Sequence, residues 1–154
     1  MIEADLLQGL PPAETEPVLA LGRRMLVTAG AELFHLGDTA DCVYLIVRGR
    51  LRLTLPMRVR SREEDIFVEE HSAGQTVGWS GLIPPYRFTL TATAAVDTEV
   101  IVLPREALSE YFAAHPAIGY AASMNLSGVI GQRLQLFQAM WLREVQRMVE
   151  SRCA

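Results

Sequence analysis

Short apolar runs broken by glycine dominate the chain between residues 25 and 104. Cys42–Val47 is a nearly continuous apolar run and predicts a buried strand, and Gly49 turns the chain after it. The next segment alternates polar residues with Leu51, Leu53 and Leu55. This alternation is typical of a strand with one buried face. Many short strands with glycine turns predict a sandwich, roll or barrel.

Two segments next to these runs have other patterns. Arg58–Asp65 is charged throughout and separates two apolar runs, so we expect a solvated hairpin loop. At the amino end, the apolar residues of Ile2–Leu10 have the spacing of a short helix. Pro11 and Pro12 then stop it.

The pattern changes to a helical period after Leu103. Pro104 suits a first helical turn, and the short helix that follows is expected to end near His115. Pro116 begins a much longer helix with one apolar stripe, formed by Leu126, Ile130, Leu134, Phe137, Trp141, Val145 and Met148.

Such a helix is about 50 Å long, whereas a small domain is about 30 Å across. Part of the stripe therefore needs another surface. We expect a homodimer interface formed by Leu126, Ile130, Leu134, Phe137 and Trp141; the alternative is that the helix folds back onto its own domain. Glycines near Ser127–Gly131 favour a bend or hinge there.

Charge and hydropathy narrow the possible roles. Fourteen basic and eighteen acidic residues give a mildly acidic chain of 154 residues, which argues against direct binding to nucleic acid. The apolar runs are too short to span a bilayer, and the amino end lacks the pattern of a secretion signal. We therefore expect a cytoplasmic protein that does not contact a membrane. Cys42 and Cys153 form neither a disulfide framework nor a metal-ligand spacing.

Enzyme chemistry finds little support in the residue pattern. A metal-dependent enzyme on a similar roll needs clustered histidines and carboxylates, but His35, His71 and His115 are scattered. No nucleophile and base stand at a catalytic spacing. We expect no catalytic residues, no metal site and no enzymatic activity.

Two stretches carry a family resemblance. Residues 30–38 (GAELFHLGD) and 44–51 (YLIVRGRL) resemble the opening of the cyclic nucleotide-binding domain family, and 73–78 (AGQTVG) and 103–116 resemble its second half. The resemblance covers about residues 25–135. It implies a mainly β fold with flanking helices: a double-stranded β-helix, or jelly-roll-like β-roll, followed by a short helix and a long C-terminal helix. The expected divisions are an N-terminal helical segment (1–24), the roll (25–104) and C-terminal hinge and dimerisation helices (105–154).

The resemblance also implies where a ligand binds. In the family, a phosphate-binding cassette follows the glycine-rich segment, and a short helix directs backbone amides at the cyclic phosphate. The corresponding residues here are Gly78, Trp79, Ser80, Gly81, Leu82, Arg87, Phe88 and Thr89.

This cassette departs from the family pattern at two positions. Trp79 replaces the glutamate that accepts a hydrogen bond from the ribose, and it could plug the pocket or stack on a ligand. A gapless alignment puts Phe88 at the position of the phosphate-binding arginine, and Arg87 points into the pocket only if the Pro84-Pro85 turn is one residue shorter. Otherwise Arg87 is a surface or turn-anchoring residue.

The resemblance and the two departures from it leave two possible classes of function. The first is a regulatory sensor that binds a cyclic nucleotide or another small anion weakly or in altered fashion, and signals through its C-terminal helices to a downstream protein. The alternative is a ligand-free dimerisation or docking module on the same fold. The chain stops before the DNA-binding domain of the bacterial relatives, so we expect no direct binding to DNA.

Overall fold

Two antiparallel sheets form the body of the computed structural model, which describes residues 2–154. One sheet has the strand order β1-β8-β3-β6 and the other β2-β7-β4-β5. The strands are β1 (Arg23–Val27), β2 (Glu32–Phe34), β3 (Cys42–Arg48), β4 (Arg50–Val59), β5 (Arg62–Ser72), β6 (Thr76–Val77), β7 (Thr91–Ala94) and β8 (Thr98–Pro104). The predicted β-roll is confirmed.

The core lies between the two sheets. Ile46 from β3, Leu51 from β4 and Val100 from β8 have no exposed surface. Burying one such side chain contributes about 1.5–3 kcal/mol, so the alternating positions of these strands hold the sheets together. The outer face of β3 and β8 is buried as well, because helices cover Leu45 and Leu103. Burial on both faces explains why these two strands are continuous apolar runs.

The hairpin of β4 and β5 corrects one prediction. The two strands pair from Arg50 and Ser72 out to Val59 and Arg62, and only Arg60 and Ser61, both with positive φ, form the turn. The expected loop at 58–65 is therefore mostly strand. β7 pairs with β4 only as far as Thr54. Beyond it, water reaches the hairpin, and the burial that produces an alternating pattern is lost.

The amino end differs from the predicted single helix. A three-residue 3₁₀ helix spans Asp5–Leu7, and the first α-helix, α1 (Pro12–Leu19), begins at a proline. Pro12 occupies the first turn, where its missing N–H costs no hydrogen bond. Asp5 anchors this segment to β6, since its Oδ1 accepts bonds from the amide and hydroxyl of Thr76 at 3.0 and 2.6 Å.

Two C-terminal helices follow β8 as predicted. They are α2 (Arg105–Ala114) and α3 (Pro116–Cys153), and α3 is continuous through 127–131, so the expected hinge is not a break in the helix. The first turns of α3 bury Ile118 and Ala122 against the roll. Within residues 2–154, no helix combines the length and apolar character needed to cross a membrane.

Candidate functional site

Close backbone approaches fix the segment after β6. Gly78 has a φ of 75°, and a Cβ there would lie 3.1 Å from the Phe88 ring and 3.2 Å from the Tyr44 ring. A Cβ on Gly81 would lie 2.7 Å from the carbonyl oxygen of Cys42. Glycine at both positions lets a short 3₁₀ helix, Trp79–Leu82, pack directly against β3.

An aromatic stack fills the interior of the roll beside this helix. The Phe34 and Phe88 rings are 3.9 Å apart between centroids and nearly parallel, and the Tyr44 ring lies 5.7 Å from that of Phe34. Burial raises the pKa of the Tyr44 phenol to about 12. Phe88, which a gapless alignment puts at the position of the family's arginine, is thus a core residue.

Arg87 faces away from this interior. Its Nη1 donates to the carbonyl oxygen of Gly37 at 3.0 Å, and its backbone forms an isolated bridge with Thr39. The side chain is exposed. Arg87 therefore lies outside the cassette cavity in this structure, and its contacts fit the alternative of a turn-anchoring residue.

The space left at the cassette is very small. Five of the predicted residues line it, namely Gly78, Trp79, Ser80, Phe88 and Thr89. Gly81, Leu82 and Arg87 do not. The cavity measures about 10 Å³, close to the space for one water molecule. Pockets for small organic ligands usually measure about 300–1,000 Å³, so a nucleotide does not fit in this conformation.

Arg133 of α3 is the residue that sequence reasoning missed. It lines the cassette cavity, and its guanidinium carbon lies 5.3 Å from the centre of the Trp79 ring, within the range of a cation–π contact. The only signal in the sequence is an arginine within a largely apolar stretch of helix. Its partners Glu69 and Trp79 are more than forty residues away in sequence, so its contacts could not be predicted from that signal.

A carboxylate and an imidazole of β5 hold Arg133 from the other side. Its Nη2 forms an ion pair with Glu69, and the Nε2 atom of His71 lies 3.4 Å from Glu69 Oε1. Burial raises the pKa of Glu69, but the adjacent His71 imidazole and the charge of Arg133 outweigh burial, so the pKa is lowered. Glu69 therefore remains ionised at neutral pH.

The predicted dimer residues lie along α3. Leu126 and Ile130 are half-buried, and Leu126 packs against the chain's own roll. Leu134, Phe137 and Trp141 are exposed, Trp141 to 66 %. None of these three side chains belongs to the buried core formed by residues 2–154.

The structure places no metal-binding set at the cassette. Among residues 2–154, no three His, Cys, Asp or Glu side chains are grouped closely enough to hold a metal ion. Cys42 and Cys153 are free thiols, and burial followed by the charge of Asp41 raises the pKa of Cys42.

Comparison with known proteins agrees with this geometry. The family model described as the cyclic nucleotide-binding domain matches residues 24–115, which is more than half of the chain. The chain therefore belongs to the cyclic nucleotide-binding domain family.

Individual relatives fit that assignment. A crystal structure of the catabolite activator protein of Thermus thermophilus is similar with a TM-score of 0.75 and 25% identity, over 90% of this chain and 62% of that one. The cyclic AMP receptor protein of Thermus thermophilus is 26% identical over 84% of this chain and 57% of its own length. A lysophospholipase of Aspergillus oryzae is 30% identical over 71% of this chain, but only 7% of the lysophospholipase is matched. The chain thus spans only part of each of these relatives.

Proposed function

We propose that this chain is a non-catalytic regulatory domain that acts through its long helix as a homodimer, with a cassette closed to cyclic nucleotides in this conformation. The observation that carries the proposal is the small size of the cassette cavity. Only about 10 Å³ remains between Trp79, Phe88 and Arg133, which line it. A cytoplasmic location and a downstream protein partner remain parts of the proposal.

The chemistry left at the cassette supports closure. A cyclic phosphate needs a cation, and a charge-assisted hydrogen bond contributes about 1.5–3 kcal/mol. Phe88 supplies no charge, and Arg87 donates to Gly37 on the surface. The glutamate for the ribose is replaced by Trp79. Losing both contacts weakens a micromolar ligand to roughly millimolar affinity.

Helix-mediated dimerisation is supported by the exposed half of α3. Leu134, Phe137 and Trp141 recur at spacings of three and four residues and therefore lie on one face. Aromatic anchors of this kind dominate the energetics of protein interfaces. A second copy of the same helix presents an identical stripe, as a two-fold symmetric interface requires.

A second candidate, the sensor of a small anion, has one observation in its favour. Arg133 places a guanidinium at the edge of the cassette, where an anionic group could compete with Glu69 for it. Guanidinium groups bind carboxylates and phosphates in a two-pronged geometry. Under this candidate, ligand binding would move α3 directly, because the cation belongs to the helix.

Calorimetry tests closure of the cassette. Titrating the chain with cyclic AMP, cyclic GMP and inorganic phosphate should give flat heats up to about 1 mM. Saturable heat from a cyclic nucleotide would overturn the closed cassette, and heat from phosphate alone would favour the anion sensor.

Light scattering after size-exclusion chromatography tests the dimer. We expect twice the chain mass of 17.1 kDa at tens of micromolar. The double variant Leu134→Glu, Trp141→Glu should be a monomer, and Gln135→Glu, at an exposed polar position turned about 100° from Leu134 on the same helix, is the matched control. A wild-type monomer under these conditions would contradict dimerisation.

A further inference from the structure

A polar cluster joins β5 to α3 behind the cassette. It consists of Glu69, His71 and Arg133, and the side chains of His71 and Arg133 are each only 11% exposed. Glu69 is paired with Arg133, while His71 Nε2 lies 3.5 Å from Arg133 Nη2. Three polar side chains are therefore largely withdrawn from water at the place where the helix crosses the sheet.

Arg133 is the member of this cluster that also contacts the cassette. The Arg133 guanidinium contacts Glu69 on one side and lies over the Trp79 ring on the other. It also lines the cassette cavity. The side chain that pairs α3 with β5 is thus also a side chain that lines the cassette cavity.

The position of Arg133 depends on its counterion. Burial lowers the pKa of Arg133 and the charge of Glu69 raises it, so the pair offsets the cost of withdrawing the cation from water. Arg133 Nε has no hydrogen-bond partner among residues 2–154. A buried guanidinium that has lost its carboxylate is strongly unfavourable, and it would be expelled toward solvent together with its segment of helix.

A groove of about 540 Å³ lies on the side of Arg133 away from Trp79 and has room for the released guanidinium. The groove lies between β5, the amino-terminal segment and α3. Asn125, one of its lining residues, donates to the carbonyl oxygens of Leu6 and Gln8 and anchors α3 two turns before Arg133. The part of α3 before Arg133 is therefore held independently of the Arg133–Glu69 pair, and release of that pair leaves this part in place.

We propose that Arg133 is an autoinhibitory plug: Glu69 holds its guanidinium over Trp79, and release of this pair opens the cassette and frees α3 beyond Asn125. This inference rests on the proposed closed cassette and names the residues that control it. It predicts that changing Glu69, which does not line the cassette cavity, exposes Trp79.

Acrylamide quenching of Trp79 tests the coupling in the full chain. The background variant Trp141→Phe leaves Trp79 as the single tryptophan. In this background Glu69→Gln and Arg133→Met should each raise the quenching constant by about twofold or more, because a released contact exposes the ring. The double variant should be no more exposed than the larger single variant, since both changes break one interaction.

Matched control variants distinguish loss of the Glu69–Arg133 pair from a general destabilisation of β5 or α3. Glu70→Gln changes an exposed carboxylate on the same strand, and Arg143→Met changes an exposed arginine on the same helix. Neither should alter quenching. Hydrogen exchange of residues 79–82 and 126–136 should rise in Glu69→Gln while exchange of the β3 and β8 core stays unchanged.

Two results would overturn the plug. One is wild-type quenching and exchange in Glu69→Gln, and the other is additive exposure in the double variant. If Arg133→Met fails to fold, Arg133→Lys is measured in its place. Wild-type quenching of Trp79 in both Arg133→Lys and Glu69→Gln would then contradict the proposal. Failure of the proposed function is separate, because it shows as cyclic nucleotide heat with the unaltered chain.

Discussion

Phe88 and Arg87 are neighbours with opposite environments. Phe88 is 5% exposed and stacks on Phe34, whereas Arg87 is exposed and donates to a loop carbonyl. Adjacent residues of extended chain face opposite sides, so one of the pair must enter the roll. The aromatic ring enters, and it extends an uncharged stack with Phe34 and Tyr44 inside the roll.

Substitution of this pair should separate the two environments. We expect Phe88→Ala to lower the free energy of unfolding by about 3–5 kcal/mol, because it leaves a cavity in a packed core. Arg87→Ala removes an exposed hydrogen bond and should cost about 1 kcal/mol or less. Urea unfolding of both variants measures the difference, and equal losses would show that Phe88 does not support the core.

The ion pair of Glu69 makes part of the stability dependent on pH. The pKa of Glu69 is lowered in the folded chain, so the folded state holds the carboxylate more strongly than the unfolded state does. The stabilisation is complete above the unfolded glutamate pKa of about 4.3 and is lost as pH falls through the lower folded value.

We therefore expect Glu69→Gln to be less stable than wild type at about pH 5.5, with the gap narrowing as the pH falls below the unfolded glutamate pKa of about 4.3, because protonated Glu69 resembles glutamine. Urea unfolding at several pH values gives this difference. The Glu70→Gln variant provides the baseline for an exposed carboxylate. A gap that is constant over this range would mean that the Glu69 charge does not stabilise the fold.

Among the secondary-structure elements, α3 has the most uneven environment. Its first turns are held by Ile118, Ala122 and Asn125, whereas Leu134 and most of the residues after it are exposed. Gly128 and Gly131 lie at the transition, and apart from the adjacent helix backbone a Cβ on either would meet no atom of residues 2–154 within 4 Å. These glycines weaken the helix without a packing reason inside the chain.

Alanine at these positions should stabilise the helix. Gly128→Ala and Gly131→Ala should each raise the free energy of unfolding by about 1 kcal/mol, the difference in helix propensity. Gly119→Ala is the contrasting variant, because its Cβ would lie 2.9 Å from the Phe112 Cβ, and we expect a loss of about 1–3 kcal/mol. Destabilisation by alanine at 128 or 131 would contradict the expectation and indicate a closely packed partner there.

At the scale of the whole molecule, local patterns predict the elements better than their contacts. The alternation at Leu51, Leu53 and Leu55 predicts β4 because one face is buried by the facing sheet. The same reasoning fails at Arg58–Asp65, where strand pairing persists without burial. Arg133 could not be placed, because its pairing with Glu69 depends on how α3 crosses β5, across 64 residues of sequence.

The assembly state connects these scales, because exposing the apolar stripe of α3 to water lowers the stability of the folded chain. If two copies bury the stripe, folding is linked to association, and the unfolding midpoint rises with protein concentration by mass action. We expect the midpoint to increase between about 2 and 200 µM chain for wild type and Gln135→Glu, and to be constant for Leu134→Glu, Trp141→Glu. Circular dichroism melts over this range give the result. A wild-type midpoint independent of concentration would mean that α3 folds without a partner, and that its apolar face serves a surface other than a second copy.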